Sequence, residues 1–421
     1  MFNHRCFKLN WRPVTVHPML SPRPAATPSS IAPAAPWVDG KRWAWLMGPA
    51  LPLLTLLCLG AWALLGWTWA LALMPVLLFV LIPALDVWIG VDQSNPPPQA
   101  MNALEADPYY ERLLLLCVPL QVAVTVLGAW CASQLPGNPW VWLGLVVSVG
   151  AMNGFGINTG HELGHKHVAS RRWWAKLALA PAAYGHFFVE HNRGHHRNVA
   201  TPTDPASARM GESFWRFLPR SVLGSLRSAW RLEAVRLAAL SHGPWHVSNH
   251  NLQAWSLTLL LFGGLTAWLG AWALLFLALQ AVYAFSLLEV VNYLEHYGLL
   301  RRSDEHGRFE RCSPEHSWNS NNVVTNLLLF QLQRHSDHHA HPARSYQALR
   351  HFDSSPQLPT GYASMLLLAY VPPLWFAVMD PRVAAHCGGD LGRANLQPAQ
   401  RERLWLRYHR VVAAAPVKPA F

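Results

Sequence analysis

Residues 139–166 read PWVWLGLVVSVGAMNGFGINTGHELGHK, an apolar run of membrane-spanning length that ends in two histidines four residues apart. At about 1.5 Å per residue, a helix of roughly 20 apolar residues crosses the hydrocarbon core of a bilayer. Side chains at i and i+4 lie on the same helical face, so His161 and His165 can reach one metal ion. The stretch therefore predicts a transmembrane helix that presents metal ligands at its end.

Five further runs have the same apolar character. Together they predict spans over residues 43–66, 67–90, 113–135, 140–158, 252–270 and 271–294. Each consecutive pair is joined by a short uncharged turn, which indicates three helical hairpins. The sequence therefore predicts an all-α integral membrane protein, with six transmembrane helices in three hairpins and a helical cap built from the polar stretches.

The charged residues are few and unevenly placed. Only 13% of the 421 residues are charged, and the formal net charge is +11. Arg112 is the only Lys or Arg between residues 43 and 158, and there is none between 252 and 300. The other basic residues lie in the N-terminal segment and in the stretches 159–251 and 301–421, which the positive-inside rule places in the cytoplasm. We therefore expect a multi-pass inner-membrane protein with both termini and the cap on the cytoplasmic side, and no binding to nucleic acid.

Three segments differ in composition. Residues 1–42 form a Pro- and Arg-rich tail that we expect to be disordered, with a targeting segment as the alternative. Residues 43–390 form the membrane domain, and residues 391–421 form a C-terminal tail. The six cysteines show no CxxC spacing, which argues against a disulfide framework and against a thiolate metal site.

Histidines cluster in four short segments near the ends of the predicted spans. The segments supply two, three, one and three candidate metal ligands, namely His161, His165, His191, His195, His196, His296, His335, His338 and His339. A catalytic zinc takes three protein ligands, so a single zinc would leave most of the nine unused. Two octahedral ions use nine imidazoles and keep open positions, and imidazole suits iron. Because His161-Glu162-x-x-His165 alone is also the motif of zinc proteases, a membrane metalloprotease is a rival interpretation.

Carboxylates accompany every histidine segment. The candidate catalytic carboxylates are Glu162, Glu190, Asp204, Glu295 and Asp337. We expect them to accept the second ring N–H of a ligating histidine, with direct metal binding by one of them as the alternative. Glu289, inside the last apolar run, is either a functional group or an ion-pair partner of Arg334.

With these residues in view, the chain resembles the membrane-bound alkane 1-monooxygenase (alkane omega-hydroxylase) family, within the histidine-box membrane diiron enzymes. The similarity covers about residues 40 to 390 and rests on the motifs Leu85 to Pro97, Asn158 to Lys166, Glu190 to Ala206, Asn292 to Gly298, His316 to Ser320 and Leu332 to His339. The block from Asn292 to Gly298 is typical of this family and of its xylene-hydroxylating relatives, and it is not shared by fatty-acid desaturases. Residues 1–38 have no counterpart in the family.

The resemblance implies a cytoplasmic non-haem diiron centre, held by the nine histidines, that uses O2 to hydroxylate the terminal methyl group of an alkane to a primary alcohol. It implies that electrons come from rubredoxin, which a reductase reduces with NAD(P)H. Rubredoxin needs paired CxxC thiolates and this chain has none, so the donor is expected to be a separate protein. Xylene or other aryl-methyl hydroxylation, and acyl-lipid hydroxylation or desaturation, are the alternatives within the same group of enzymes.

An alkane substrate has no polar group that a protein could bind. Its recognition depends on burying CH2 groups, each contributing about 0.8 kcal/mol, which predicts a channel between the spans. Leu71, Met74 and Leu78 share one face of the second predicted helix and are candidates for its lining. Ordinary packing against lipid or a neighbouring helix is the alternative.

Four arginines border the histidine segments. They are Arg193, Arg197, Arg334 and Arg344. An acidic electron donor can dock on such a basic surface in an encounter that salt weakens. Local ion pairing with nearby carboxylates is the alternative.

Overall fold

The structure is a computed structural model. It describes residues 37–134 and 138–414, and it describes the side chains as far as Tyr408. The described residues are helical and contain no β-strand, only isolated bridges such as that between Val91 and Asn322. Most of the expected N-terminal tail, the last residues of the C-terminal tail and the middle of the turn after Gln134 lie outside the described residues. The prediction of an all-α protein is confirmed.

In chain order the helices are α1 (Ala44–Leu65), α2 (Ala70–Ile89), α3 (Met101–Ala106), α4 (Pro108–Gln134), α5 (Pro139–Gly164), α6 (Ala169–Leu179), α7 (187–198), α8 (Phe214–Ala238), α9 (His250–Leu269), α10 (Ala271–His296), α11 (Val323–Leu328), α12 (His335–Ala340), α13 (Tyr362–Ala369), α14 (Pro372–His386) and α15 (Arg401–Ala414). Six of them, α1, α2, α4, α5, α9 and α10, are long and apolar enough to cross a membrane. They form the three consecutive pairs that the sequence predicts. The other helices and the loops between them build the cap.

Glycine and an asparagine cap set the turns within the pairs. Gly66 and Gly270 follow α1 and α9 with φ angles of +69° and +83°, a backbone region that glycine enters without strain. The side chain of Asn138 accepts a hydrogen bond from the Val141 amide at 3.2 Å, and Pro139 is the first residue of α5. Both features favour a helix that starts at this point.

The third span begins at Pro108, five residues earlier than the sequence predicts. Proline is tolerated in the first turn of a helix because it has no N–H to leave unpaired there. The extension adds Glu111 and the exposed Arg112 to α4, and Glu111 accepts two hydrogen bonds of 2.8 Å from Arg171 of α6. The helix can therefore extend beyond its apolar part.

Polar side chains join three of the spans. Asn153 of α5 donates to Gln280 of α10 at 2.6 Å and to the Thr125 hydroxyl of α4 at 3.1 Å. Gly150 lets α5 approach α10 closely, because a Cβ at this position would lie 2.8 Å from the Gln280 carbonyl oxygen. Helices α5 and α10 are thus held side by side, and both end in a histidine segment.

A buried aspartate ties the second span to the cap. Asp86 of α2 accepts hydrogen bonds from the Thr325 amide at 2.9 Å and from the Thr325 hydroxyl. Its backbone carbonyl accepts a hydrogen bond of 3.1 Å from Asn322. An ionisable group at this depth needs such partners, so these contacts fix α11 against α2.

Helices α13 and α14 form a bent pair. Their axes are bent by 119° at the break before Pro372. The residue before a proline is pushed out of the helical region, which explains the break at Val371. The pair brings Tyr362 toward the ends of α5 and α10, next to the histidine segments.

Candidate metal centre

The four histidine segments meet at one end of the spans. His161 and His165 lie at the end of α5 and His296 at the end of α10, whereas α7 and α12 of the cap supply three histidines each. The potential ligand atoms form two groups, and within each group they all lie within 4.8 Å of one another. The first group is His161, His165, His191, His196 and His338, and the second is His195, His296, His335 and His339.

Helix α7 changes its winding at its histidines. Residues Glu190–His195 form a π-helical turn between two short α-helical turns. A π-turn brings residues five apart onto one face, and the Nε2 atoms of His191 and His196 are 2.9 Å apart. His195 faces the second group instead, so α7 contributes to both groups.

Helix α12 also serves both groups. The Nε2 atoms of His338 and His161 are 2.8 Å apart. The Nε2 atom of His335 lies 2.8 Å from that of His339 and 3.2 Å from that of His296. Neighbouring residues of one short helix therefore point into different groups.

The spacing of these nitrogens fits metal binding better than hydrogen bonding. His338 Nε2 has a second close neighbour, because His196 Nε2 lies 3.1 Å away. A single ring nitrogen carries either a proton or a lone pair, so it cannot satisfy two nitrogen neighbours by hydrogen bonds. With a metal–nitrogen distance of about 2.1 Å, adjacent ligands of an octahedral ion lie about 3.0 Å apart. Both groups thus have the donor atoms and the spacing of a metal site.

The protonation state of the cap histidines suits the same role. Burial, followed by repulsion from neighbouring imidazoles, holds the pKa of His191 and of His338 well below the usual value. These rings are neutral at physiological pH, and a neutral imidazole offers its lone pair to a metal.

Asp204 and His195 form a contact behind the second group. Oδ2 of Asp204 lies 2.9 Å from Nδ1 of His195, and the Ser207 hydroxyl donates to the same oxygen at 2.6 Å. Burial alone would lower the pKa of His195, but the charge and hydrogen bond of Asp204 raise it. His195 Nε2 is buried without a hydrogen-bond partner among the described residues, so the ring is oriented with this nitrogen free for a ligand role.

Glu295 lies on the ligand side of the second group. Its Oε2 is 3.1 Å from His335 Nε2, the nitrogen that faces the group. The hydroxyl of Tyr362 donates to the other carboxylate oxygen at 2.8 Å. Of the five candidate carboxylates, Glu295 is the one that contacts a ring nitrogen on the side facing a histidine group.

The remaining three carboxylates are placed differently. Glu162 Oε1 lies 3.6 Å from His161 Nδ1, on the side of the ring away from the group. Asp337 is turned to Arg344, at 2.5 Å, and makes no contact with a ring nitrogen of either group. Glu190 is buried at the start of the π-turn, and burial raises its pKa to about 7.

The suggested ion pair between Glu289 and Arg334 is wrong. Glu289 accepts hydrogen bonds from the Tyr184 hydroxyl at 2.7 Å and from Asn292 at 3.3 Å. Arg334 donates to three backbone carbonyls, one of them Leu349 at 2.8 Å, and so fixes the start of α12. Arg334 is only 2% exposed, so its candidacy as a docking residue is also wrong.

The other three candidate docking arginines differ in their surroundings. Arg193 is paired with Glu233 at 2.6 Å, and Arg344 is paired with Asp337. These two arginines therefore fit the alternative of local ion pairing with carboxylates. Arg197 is exposed.

An apolar cavity lies between α2, α5, α10, α11 and α13. Leu78 lines it, and its polar lining residues are Asn158, Thr325 and Tyr362. Each of the three donates a hydrogen bond to another protein group, and the hydroxyl donors of Thr325 and Tyr362 are thereby used. Because Tyr362 contacts Glu295, the wall of the cavity adjoins the second group.

The other two candidate channel residues do not line this cavity. Leu71 packs against α5, where the Ser148 hydroxyl lies 3.4 Å from its carbonyl, and Met74 is completely buried in the core. Both precede the π-helical turn Leu77–Leu81, whereas Leu78 belongs to it. In a regular α-helix, Leu71, Met74 and Leu78 would share one face. The π-helical turn changes the winding, so Leu78 has different neighbours from the other two.

The first group has access to the surface. His165 and His196 are partly exposed, whereas all four members of the second group are buried. A polar cavity beside His165 has basic walls that include Lys166, Arg172 and Arg193. The apolar cavity thus adjoins the second group, and the polar cavity adjoins the first.

Sequence reasoning missed Tyr362 and Tyr184. Each lies in an apolar or mixed segment without a motif, and each donates to a buried carboxylate. The only available signal is the general rule that a buried ionisable group needs a partner, which names no particular tyrosine.

Comparisons with known proteins agree with this architecture. A fatty acid desaturase family model matches residues 138–369. The chain is 45% identical over 375 residues to alkane 1-monooxygenase 1 of Alcanivorax borkumensis, covering 89% of this chain and 93% of that protein. It is 45% identical over 379 residues to alkane 1-monooxygenase of Acinetobacter baylyi, covering 88% and 92%. A xylene/toluene monooxygenase hydroxylase component of Pseudomonas putida is 27% identical, covering 72% and 81%.

Proposed function

Because the chain belongs to the alkane 1-monooxygenase family, we propose that it hydroxylates the terminal methyl group of alkanes to primary alcohols with dioxygen and two non-haem irons. The observation that carries the proposal is the contact between the apolar cavity and the second histidine group through Tyr362 and Glu295. This contact supports the proposal because the proposed site for a CH2 chain lies beside the proposed site for a metal.

The nine histidines are the proposed iron ligands, five for one ion and four for the other. When bound, the irons would supply the activation of dioxygen, so that one oxygen atom enters the C–H bond and the other leaves as water with two protons and two electrons from the donor. The protein fixes the rings that hold them. Asp204 orients His195 from behind, and the backbone carbonyl of His316 lies 3.4 Å from His296 Nδ1.

The proposed role of Glu295 differs from that of the other carboxylates. Its Oε2 faces the second group, so it is the candidate for a direct or transient ligand. Tyr362 holds the other oxygen and at the same time forms part of the cavity wall. Glu162, Glu190 and Asp337 are proposed to support the fold around the ligands.

The cavity is the proposed alkane site. Its walls are mostly leucine, alanine and phenylalanine side chains, with Leu78 and Phe79 contributed by α2. Burial of each CH2 group contributes about 0.8 kcal/mol, so a chain of several carbons is held without a polar contact. The apolar lining also disfavours water in the site.

Electrons are proposed to arrive from rubredoxin, which a reductase keeps reduced with NAD(P)H. The partly exposed His165 and the basic walls beside it make the polar cavity the best entry for an acidic donor. Arg197, four residues after Arg193 in α7, is exposed. We place this surface in the cytoplasm and the spans in the inner membrane, since the basic residues lie on the cap side.

The desaturase family match supports one second candidate, an enzyme that removes hydrogen from an acyl lipid. The two functions differ in product. Incubation of the purified protein with iron, rubredoxin, reductase, NADH and either octane or an acyl lipid should yield 1-octanol from octane. An alkene product from the acyl lipid, with no alcohol from octane, would favour the second candidate, and para-xylene in a third reaction tests aryl-methyl oxidation.

The zinc protease interpretation predicts one zinc and activity without oxygen. In the structure Glu162 stands behind the His161 ring and does not line the opening beside His165, where a general base for water has to act. Metal analysis of the same preparation separates the two interpretations.

A further inference from the structure

Helix α8 (Phe214–Ala238) carries two different stripes on its exposed face. Trp215, Pro219, Leu223 and Leu226 follow one another at intervals of four, four and three residues, so they form one apolar stripe. Trp215 and Leu223 are 56% and 50% exposed. A soluble cap helix does not need such a row of large apolar groups on its outer face.

The neighbouring stripe is basic. Arg216, Arg227 and Arg231 are exposed and spaced by eleven and four residues, which again is one face of a helix. None of the three has an ion pair among the described residues. The acidic residue of this helix, Glu233, is buried and already paired with Arg193 and Arg236. The basic stripe is therefore free to meet an anion.

The opposite face of α8 packs on the end of the sixth span. The rings of Phe214 and Phe217 lie 5.8 and 5.4 Å from that of Tyr293, one turn before the end of α10. The helix therefore runs along the rim of the transmembrane bundle. The end of a transmembrane helix is where hydrocarbon meets the lipid headgroups.

Aromatic side chains at both ends of α8 pack on neighbouring segments. Trp215 stacks on Tyr370 at the bend between α13 and α14, with ring centroids 5.6 Å apart. At the other end, Trp230 stacks on Trp255 of the fifth span, and the exposed Trp245 packs on Trp230. Tryptophan clusters of this kind are typical of membrane interfaces.

From this arrangement we propose that α8 is an in-plane interfacial helix that binds anionic phospholipid headgroups through Arg216, Arg227 and Arg231. The apolar stripe enters the acyl-chain boundary, and the arginines stand at the level of the phosphates. Each arginine is worth about a fivefold change in lipid affinity, since a basic residue near an anionic surface contributes about 1 kcal/mol. The three together account for roughly a 100-fold preference for anionic lipid.

The bound lipid also stabilises the metal-site cap. The buried face of α8 carries Glu233, which holds Arg193 of the α7 histidine segment at 2.6 Å. A headgroup that fixes α8 therefore fixes α7 as well. The full chain should unfold at a higher temperature in phosphatidylglycerol than in phosphatidylcholine.

The test compares three proteins in nanodiscs of phosphatidylcholine alone or with phosphatidylglycerol. They are the wild type, the triple variant R216Q/R227Q/R231Q, and the matched control R302Q/R308Q/R311Q, which removes the same charge from an exposed loop. We expect phosphatidylglycerol to raise the Tm of the wild type and of the control, and the triple variant to lose most of that rise. An equal rise in all three proteins, or none in the wild type, would overturn the proposal.

A second measurement separates lipid from protein as the occupant. Benzoylphenylalanine placed at Leu226 should cross-link to phospholipid on irradiation, whereas the same group at the exposed Leu406 of α15 should not. If position 226 cross-links to rubredoxin and not to lipid, or if the triple variant raises only the KM for rubredoxin, the stripe is a docking surface for the donor and the lipid proposal is wrong.

Discussion

His338 and His339 are neighbours in the chain, but their rings belong to different histidine groups. His338 Nε2 lies 2.8 Å from that of His161 at the end of α5, whereas His339 Nε2 lies 2.8 Å from that of His335. His195 and His196 of α7 are divided in the same way. Two short helices thus contribute to both candidate metal sites, and a shift of either helix disturbs both.

The unequal size of the groups predicts unequal iron loss. His339→Ala leaves three histidines in the second group, whereas His165→Ala leaves four in the first. We expect His339→Ala to retain about one iron per chain and His165→Ala to retain more, since ligand number sets affinity. Iron analysis of the purified variants measures this, with His242→Ala on the surface as the control. Equal loss in both variants would contradict the assignment.

Asp204→Asn tests the contact behind the second group. Loss of the charged acceptor for His195 Nδ1 should weaken iron binding about 10- to 100-fold, which is the usual cost of removing such a partner. Competition with a chelator measures the affinity. Exposed Asp390→Asn is the matched control, and an unchanged affinity in Asp204→Asn would show that the ring needs no orientation from this carboxylate.

Tyr362→Phe removes the hydroxyl that holds Glu295. A hydrogen bond to a charged group is worth about 1.5–3 kcal/mol, so we expect kcat to fall by about 10- to 100-fold. Iron content and the KM for alkane should stay within about twofold, because the ring still fills the cavity wall. Tyr283→Phe, earlier on α10, is the control. A raised KM with normal kcat would assign Tyr362 to substrate binding alone.

Leu78→Trp fills part of the cavity. The larger side chain should shorten the longest alkane that is hydroxylated, while shorter alkanes react as before. Product profiles across a series from hexane to hexadecane measure the effect. Leu81→Trp, on the exposed side of the same helix, should leave the profile unchanged. An unchanged profile in Leu78→Trp would remove the residue from the alkane site.

Glu233 predicts a pH dependence of stability. Burial would raise its pKa, but the hydrogen bonds of Arg236 and His250 and the charge of Arg193 lower it below the ordinary value. Its contribution is therefore fully present above the unfolded pKa of about 4.3 and is lost as the pH falls through the lower folded pKa.

Glu233→Gln should lower the free energy of unfolding by about 1–3 kcal/mol at neutral pH. The difference from the wild type should shrink below about pH 4.3. Thermal unfolding from pH 3 to pH 8 checks both statements, with exposed Glu305→Gln as control. A difference that grows as the pH falls would mean that Glu233 is protonated in the folded protein.

Much of the fold was accessible from the sequence, because apolar length and charge placement are local signals. The six spans and the four histidine segments needed no tertiary information. The division of the nine histidines into groups of five and four did need tertiary information. The spacing of the histidines in the sequence does not reveal the π-turn at Glu190–His195. Leu71 and Met74 do not line the apolar cavity with Leu78 for the related reason that a second π-turn at Leu77–Leu81 interrupts the helical face. Arg334 looked like a surface charge because its carbonyl partners come from distant segments.

The most direct test of the proposed function joins metal analysis to oxygen labelling. Purified protein should contain about two irons per chain, as expected for two imidazole groups of this kind. With rubredoxin, reductase, NADH, octane and 18O2, it should form 1-octanol that carries one labelled oxygen atom. One zinc in place of iron, or the absence of labelled alcohol from the iron-loaded protein, would contradict the proposal that this chain is an alkane-hydroxylating monooxygenase.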